Sequence, residues 1–343
     1  MKSYNEILSD VTKTAIKIPQ SDYLDAGKYR IFDQGKEYSV GFSNDEQGVV
    51  TDYPYIIFGD HTRVVKYVDE PCYIGADGVK LLKVINKDFD PRYVYYNILA
   101  KPIESQGYAR HFKFLKEIQF TEKSFSEQQK IAAELDKIQS AIDNKKQQLS
   151  LLDEAVKSEF VEMFGNKNFP TQKWDSVFIT KTGKLDSNAM VEGGKYPFFT
   201  CAKEIFSIDN YAFDQEALLL AGNNAAGKYD VKYYKGKFNA YQRTYVLSLK
   251  EAWSYRLFQF QLEDKLLYLK EQSKGINTKF LTLKILQELE FIIPPKELQL
   301  KFETFVQQID KSKFVLQQQL QFIKKYVIMT SWRKICFYTT VAM

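Results

Sequence analysis

Residues 131–156 read IAAELDKIQSAIDNKKQQLSLLDEAV, and residues 302–327 read FETFVQQIDKSKFVLQQQLQFIKKYV. In the first stretch Ile131, Leu135, Ile138, Ile142, Leu149, Leu152 and Val156 recur at steps of four and three, with Lys145 taking one heptad position. In the second, Phe302, Val306, Ile309, Leu316, Leu320, Ile323 and Val327 do the same, with Lys313 as the polar layer. Such spacing lays an apolar stripe along an α-helix. One offset of 171 residues aligns the two runs, and it also sets Gln147-Gln148-Leu149 over Gln318-Gln319-Leu320. A single stripe is explained equally well by a helix lying on a globular domain. Two stripes in one register predict a pair, because each needs a partner of its own length and the other copy supplies it. The chain direction favours antiparallel pairing. At 1.5 Å per residue, the first helix would form a rod of roughly 50 Å.

Around these runs the chain repeats its plan. Ser126, followed three residues later by Gln129, predicts a capping box at the start of the first helix, and Gly165-Asn166 predicts its end. Upstream, Tyr29–Asp33, Tyr53–Phe58, Arg63–Val68 and Lys80–Asn86 are rich in Val, Ile, Tyr and Phe between Gly, Asp and Pro, and read as strands. Pro91–Ala100 reads as a helix. After the first run, Ala217–Ala221 and Val231–Tyr234 read as strands and Tyr255–Glu271 as one amphipathic helix. Gly194-Lys195-Tyr196 matches Gly27-Lys28-Tyr29, and Ser273-Lys274-Gly275 matches Ser105-Gln106-Gly107. The expected architecture is α+β: two β-rich domains separated by two long helices that pair as an antiparallel coiled coil, with pseudo-twofold symmetry. The expected boundaries are 1–122 for the first domain, 123–165 for the first helix, 166–295 for the second domain, 296–328 for the second helix and 329–343 for a divergent tail.

Composition narrows the function. At 343 residues the chain can hold two domains with cores of their own. Hydrophobic and charged contents of 45% and 27% are those of an ordinary globular protein. A net charge of +5 is compatible with a polyanionic partner. Cys72, Cys201 and Cys336 are far apart and only His61 and His111 accompany them, so neither a zinc site nor a disulfide framework is expected. The first twenty residues lack the apolar segment of a signal peptide, and no apolar run reaches membrane-spanning length. A cytoplasmic location is expected.

Three motifs suggest catalysis, and each has a plainer reading. Gly222-Asn223-Asn224-Ala225-Ala226-Gly227-Lys228 fits G-x-x-x-x-G-K after an apolar strand. A phosphate loop needs Ser or Thr next and then a helix. Here Tyr229 follows and then an alternating strand pattern, so a Gly-rich hairpin presenting Asn and Lys is expected. Glu263-Asp264-Lys265 has the E-x-K spacing of a nuclease but lies in an apolar-periodic helix. Pro294-Pro295 lacks the flanking polar and aromatic residues of an amino-methyltransferase loop. Two histidines cannot support a Ser-His-Asp or Cys-His set. The chain is expected to be non-catalytic by itself.

The order of parts resembles the specificity (S) subunit of type I restriction–modification systems. The residues that carry the resemblance are Phe125-Ser126-Glu127-Gln128-Gln129-Lys130-Ile131-Ala132 at the opening of the first helix, LLDEAVKSEFVEMFG over 151–165 at its close, and GINTKFLTLKILQELEFIIPPK over 275–296 before the second. The second opening reads Glu297-Leu298-Gln299 where the first has Glu127-Gln128-Gln129, and the tail after about Tyr326 does not repeat the first ending. The resemblance implies that each β-rich module is a target-recognition domain reading one half of a split site on double-stranded DNA. It implies that the helices set the spacing and bind two methyltransferase (M) subunits, and that restriction (R) subunits join that core. It places S-adenosylmethionine, ATP and Mg²⁺ in those partners, with no cofactor or metal in this chain.

Sequence readers use polar side chains for base edges and basic ones for phosphates. The candidates, expected on loops between strands, are His61, Arg63, Lys66 and Arg110 in the first module, and Asn223, Asn224, Lys228, Gln242, Arg243, Lys274 and Asn277 in the second. For each of them the alternative is a solvated surface side chain. Two competing functions remain: a scaffold with two β-rich protein- or carbohydrate-binding modules on a coiled-coil spacer, and a module pair serving a single-chain methyltransferase-nuclease.

Overall fold

The computed structural model describes residues 1–75, 78–107, 109–165, 167–225, 227–275 and 278–327. They divide into two compact units, Met1–Gln147 with Gln317–Met343, and Gln148–Leu316.

In the first unit a four-stranded sheet runs in the order Leu8–Asp10, Val79–Val84, Tyr55–Gly59, Val65–Val68, every pair antiparallel. A second sheet runs in the order Lys17–Ile18, Cys72–Gly75, Tyr29–Phe32, Gly41–Ser43, with parallel pairing on both sides of Cys72–Gly75. Strand periodicity explains why Tyr55–Gly59 is buried throughout. Ile56 and Phe58 face a core shared with the helix Pro91–Leu99, whereas Tyr55 and Ile57 face a second core with Phe32, Cys72 and Ile74. Pro at the first helical position and Asp90 as N-cap, accepting from Tyr93 N–H, start that helix where the sequence placed it.

The second unit repeats this plan on a six-stranded sheet, in the order Phe178–Thr182, Thr244–Leu249, Phe213–Ala221, Val231–Ala240, Tyr196–Phe199, Phe206–Ile208. Leu218 and Leu220 face the helix-covered core with Phe258 and Phe291, and Ala217 and Leu219 face the other side with Phe199 and Phe238. The Gly-Lys-Tyr repeat now has a physical cause. A Cβ on Gly27 would come 2.9 Å from Phe42 Cβ, and one on Gly194 would come 2.6 Å from the Ile208 backbone. Each glycine lets the neighbouring strand close over the strand start. The region read as one helix over Tyr255–Glu271 is two, Tyr255–Asp264 and Leu266–Gln272. Lys265 N–H bonds Leu262 O, three residues back, and that tighter turn ends the first of them.

The first long helix spans Phe125–Phe160 and closes in a wide turn over Val161–Gly165, close to the sequence expectation. Its cap is two residues earlier than expected. Ser124, not Ser126, exchanges bonds with Glu127: Ser124 N–H and Oγ donate to Oε2 at 3.1 and 2.7 Å, and Glu127 N–H donates back to Oγ. The second long helix spans Lys296–Phe322 and ends in a similar turn over Ile323–Val327.

The apolar stripe divides its duties. Ile131 and Leu135 belong to the first unit's core beside Tyr93 and Tyr96, and Ile138 packs against it, so this third of the first stripe covers its own module rather than the second helix. Ile142 is buried, while Leu149, Leu152, Ile309, Leu316, Leu320 and Ile323 are half-buried. Phe302 and Val306 share a cluster with Met163 and Phe164 at the end of the first helix and with Leu257. Within the second unit, Phe164 lies 5.6 Å from Phe302 between ring centroids, and Lys313 bonds Asp153, so the helix segments there run antiparallel. Within the first unit, Lys145 Nζ donates to Gln319 Oε1 at 2.6 Å. The two lysines that interrupt the heptads are thus the residues that bond across.

A buried glutamine fastens each helix start to its module. Gln128, fully buried, accepts from Asp90 N–H at 2.9 Å and donates to Asp88 O and Lys123 O. Gln299 accepts from Ser254 N–H at 3.0 Å and donates to Pro294 O at 2.8 Å. Asp90 and Ser254 are the N-caps of the module helices Pro91–Leu99 and Tyr255–Asp264. The counterpart of Gln128 is therefore Gln299, one position off the alignment that set Gln299 against Gln129.

Candidate functional site

In each unit the loops at one end of the sheet meet at a three-segment junction of main-chain bonds. In the first, Asp60, just past the strand Tyr55–Gly59, donates its N–H to Gly78 O at 2.7 Å and accepts from His111 N–H at 2.8 Å. In the second, Gly222, just past Phe213–Ala221, donates to Arg243 O and accepts from Leu281 N–H, each at 2.8 Å. The same frame carries different side chains.

Around Asp60 the side chains complete the lock. Its carboxylate accepts from Phe112 N–H at 2.8 Å. His111 is fully buried; Nε2 lies 3.1 Å from Gln106 N–H and Nδ1 lies 3.1 Å from Asp60 O. Those partners assign the proton to Nδ1, with Nε2 as acceptor. The junction borders a cleft of about 510 Å³ lined by Thr12, Lys17, Gln34, Asp60, His61, Gly78, Val79, Lys80 and Arg110. Of the predicted residues, His61 and Arg110 come together there. Arg63 does not line that cleft. It sits at φ 63°, unusual for a side-chain-bearing residue, and its Nη1 donates to Ile103 O at 3.1 Å, which ties it to the backbone. Lys66 is not on a loop. It lies in the strand Val65–Val68, 5% exposed, 3.4 Å from Asp33, and burial pushes its ammonium below the usual lysine range. It is no phosphate contact.

In the second unit Gly222 gathers three of the predicted segments. Asn223 and Asn224 form a short strand paired with Lys279–Phe280, and Asn224 Oδ1 accepts from Lys228 N–H at 3.1 Å. The G-x-x-x-x-G-K stretch is a hairpin loop: Leu220 pairs with Val231 and a strand follows, not the helix a phosphate loop requires. Gln242 is exposed and donates to Asp186 Oδ1 at 2.7 Å, and Arg243 beside it is exposed. Lys274 closes the turn that returns at Phe280. Asn277 lies outside the described residues.

Some members of both sites were not predicted. Thr12, Lys17, Gln34 and Lys80 join the first through long-range strand pairing. In the second, a Cβ on Gly227 would sit 3.1 Å from Lys270 Cγ and 3.5 Å from Lys279 Cγ, which adds two cations to Lys228, Arg243 and Lys274. No local pattern marks these residues; only the tertiary pairing gathers them. The E-x-K residues do not converge on a site: Glu263 accepts from Gln259 and Lys265 lies over the Phe291 ring. Among the described residues no group of three His, Cys, Asp or Glu side chains could hold a metal ion, and no helix is long and apolar enough to cross a membrane.

Comparison with known proteins agrees with this arrangement. Residues 166–324 match the family described as the type I restriction modification DNA specificity domain. The specificity subunit of the type I restriction enzyme EcoDI from Escherichia coli is 38% identical over 166 residues, which are 46% of this chain and 36% of that protein. The chain thus spans about a third of that curated relative. The crystal structure of the type I restriction–modification S subunit from M. genitalium superposes with a TM-score of 0.65 at 15% identity, covering 98% of this chain and 96% of that one, and so shares its fold. With the domain matched in sequence through its second half and the fold matched along its length, the chain belongs to the family of type I restriction–modification specificity subunits.

Proposed function

We propose that this chain is the DNA-reading subunit of a type I restriction–modification complex, each β-rich module contacting one half of a bipartite site in double-stranded DNA. The observation that carries this reading is the pair of matched junctions, Asp60–Gly78–His111 and Gly222–Arg243–Leu281, which hold different polar tips on one main-chain frame. A protein that reads two unlike half-sites needs that combination of constant frame and variable tip. Basic side chains near each junction, Lys17, Lys80 and Arg110 in one and Lys228, Arg243, Lys270 and Lys274 in the other, suit phosphates, and Gln34, His61, Asn223, Asn224 and Gln242 suit base edges.

In this reading the chain performs no chemistry itself. The long helices pair as an antiparallel coiled coil along their middle turns, supported by Lys145–Gln319 and Asp153–Lys313, and set the distance between half-sites. Two methyltransferase subunits bind the helices, and restriction subunits join them. S-adenosylmethionine, ATP and Mg²⁺ act in those partners, in the cytoplasm. The test is binding of the purified complex to a duplex carrying the motif found methylated in its host. Affinity should fall steeply with salt and should drop when either half-site is scrambled. Salt-independent or sequence-indifferent binding would favour the scaffold reading instead.

A further inference from the structure

We propose that Arg92 and Arg256 are positioning residues that hold each reading module at one angle on its long helix, and thereby set the half-site spacing the protein accepts. The inference rests on the DNA-reading function above. Both arginines are the second residue of their module helix, Pro91–Leu99 and Tyr255–Asp264. Each touches three elements at once. The Arg92 guanidinium lies 3.8 Å from the centroid of the Tyr67 ring, on the strand Val65–Val68. Its Nε is 3.5 Å from Asp136 on the first long helix, and its Nη2 is 3.3 Å from Asp69. Arg256 stands 4.3 Å from the centroid of the Tyr233 ring, on the strand Val231–Ala240, and pairs with Asp310 on the second long helix.

The rest of each attachment is of a different kind. Ile131 and Leu135, and Phe302 and Val306, bury apolar area against their modules, a contact that is strong but indifferent to direction. The glutamine clamps fix a point, the helix start, and leave rotation about it open. A guanidinium resists rotation, because its planar fork must meet a carboxylate edge while its face stays on a ring. In the first unit Asp136 is itself held, accepting from Tyr96 Oη at 2.6 Å. The arrangement occurs in both modules although the reading tips differ.

The experiment uses the full chain with its methyltransferase partners. Spin labels at unnatural amino acids replacing the exposed residues Glu37 and Gln147 report the first module's angle on its helix, independently of DNA. In Arg92→Ala the distance distribution should broaden, and Arg92→Lys, which keeps charge but not fork, should broaden it less. In the Arg92→Ala/Arg256→Ala protein, preference for the native spacing over one base pair more or less should fall about five- to tenfold, with half-site sequence preference kept. An unchanged distribution in Arg92→Ala would overturn the positioning role, as would a loss of affinity with the spacing ratio intact. Failure of the wild-type complex to bind any duplex would overturn the DNA reading, while the label distances would still judge the lock.

Discussion

The two junctions differ most where they correspond most closely. In the first module the residue past the strand is Asp60, and its donor–acceptor partner across the junction is Gly78, at φ 69°. In the second the small residue has changed sides: Gly222 stands in place of Asp60, and Arg243 in place of Gly78. A side chain fits on only one arm of each junction. In the first it is a buried carboxylate that holds the loop; in the second it is an exposed guanidinium aimed outward. The main chain is a common frame, and the choice of arm decides whether the junction is spent on rigidity or on a contact.

Exchanging the arms should break the comparison with the largest effect. Gly222→Asp would bring a Cβ to 2.3 Å from the Arg243 carbonyl oxygen, a backbone atom that cannot rotate away. The second unit should lose about 3 kcal/mol or more, read as an early transition in calorimetry. Asp60→Gly opens space rather than closing it. It strips Phe112 N–H of its acceptor and should cost about 1–2 kcal/mol. Equal losses would mean that the junctions are not built on opposite arms.

The glutamine clamps come next. Gln128→Leu removes partners from Asp90 N–H, Asp88 O and Lys123 O in a fully buried place, and should cost about 2–3 kcal/mol by denaturant unfolding. Gln299→Leu releases two groups instead of three and should cost less. A reversed order would count against equivalence of the two helix starts.

Arg243→Ala tests the tip rather than the frame. It should weaken binding by about 1–3 kcal/mol if the guanidinium reads a guanine, with no loss of melting temperature. The penalty should vanish on a duplex whose corresponding half-site is scrambled. Arg110→Ala in the first module should weaken binding evenly across sequences and flatten the salt dependence, as a phosphate contact does.

How much of this was legible follows from the range of the interactions. The long helices could be read because their signal repeats every seven residues, and Phe125–Phe160 came out within a few residues of expectation. The strand Cys72–Gly75 went unread: it is short and buried on both faces, so it shows no alternation. The heptad pattern marked Ile131 and Leu135 as apolar and buried, but periodicity does not say against what, and the module claimed them first. Lys66 was misplaced because a lysine in a strand looks like a surface residue until the sheet shows which way it points. The tips were found in part because Asn223, Asn224 and Arg243 lie in short polar turns between apolar strands. Lys17, Gln34 and Lys270 needed the fold.

The smallest effect separates the two helix starts by acid. The first long helix is capped by Ser124 and Glu127; at the second start the bonds come from Pro295 O, and Glu127 has no matching carboxylate. Hydrogen bonds from Ser124, side chain first and then backbone, hold the Glu127 carboxyl below its ordinary value of 4.5. A carboxyl depressed on folding adds stability that is fully present above its unfolded value and is lost as pH falls through its folded one. Amide exchange in the first turn of Phe125–Phe160 should therefore quicken in Glu127→Gln near neutral pH, and the gap from wild type should close as the solution is acidified past the carboxyl range. Exchange at the start of Lys296–Phe322 should show no such pH-dependent gap. If that start tracked the first, the difference between the two caps would not be electrostatic.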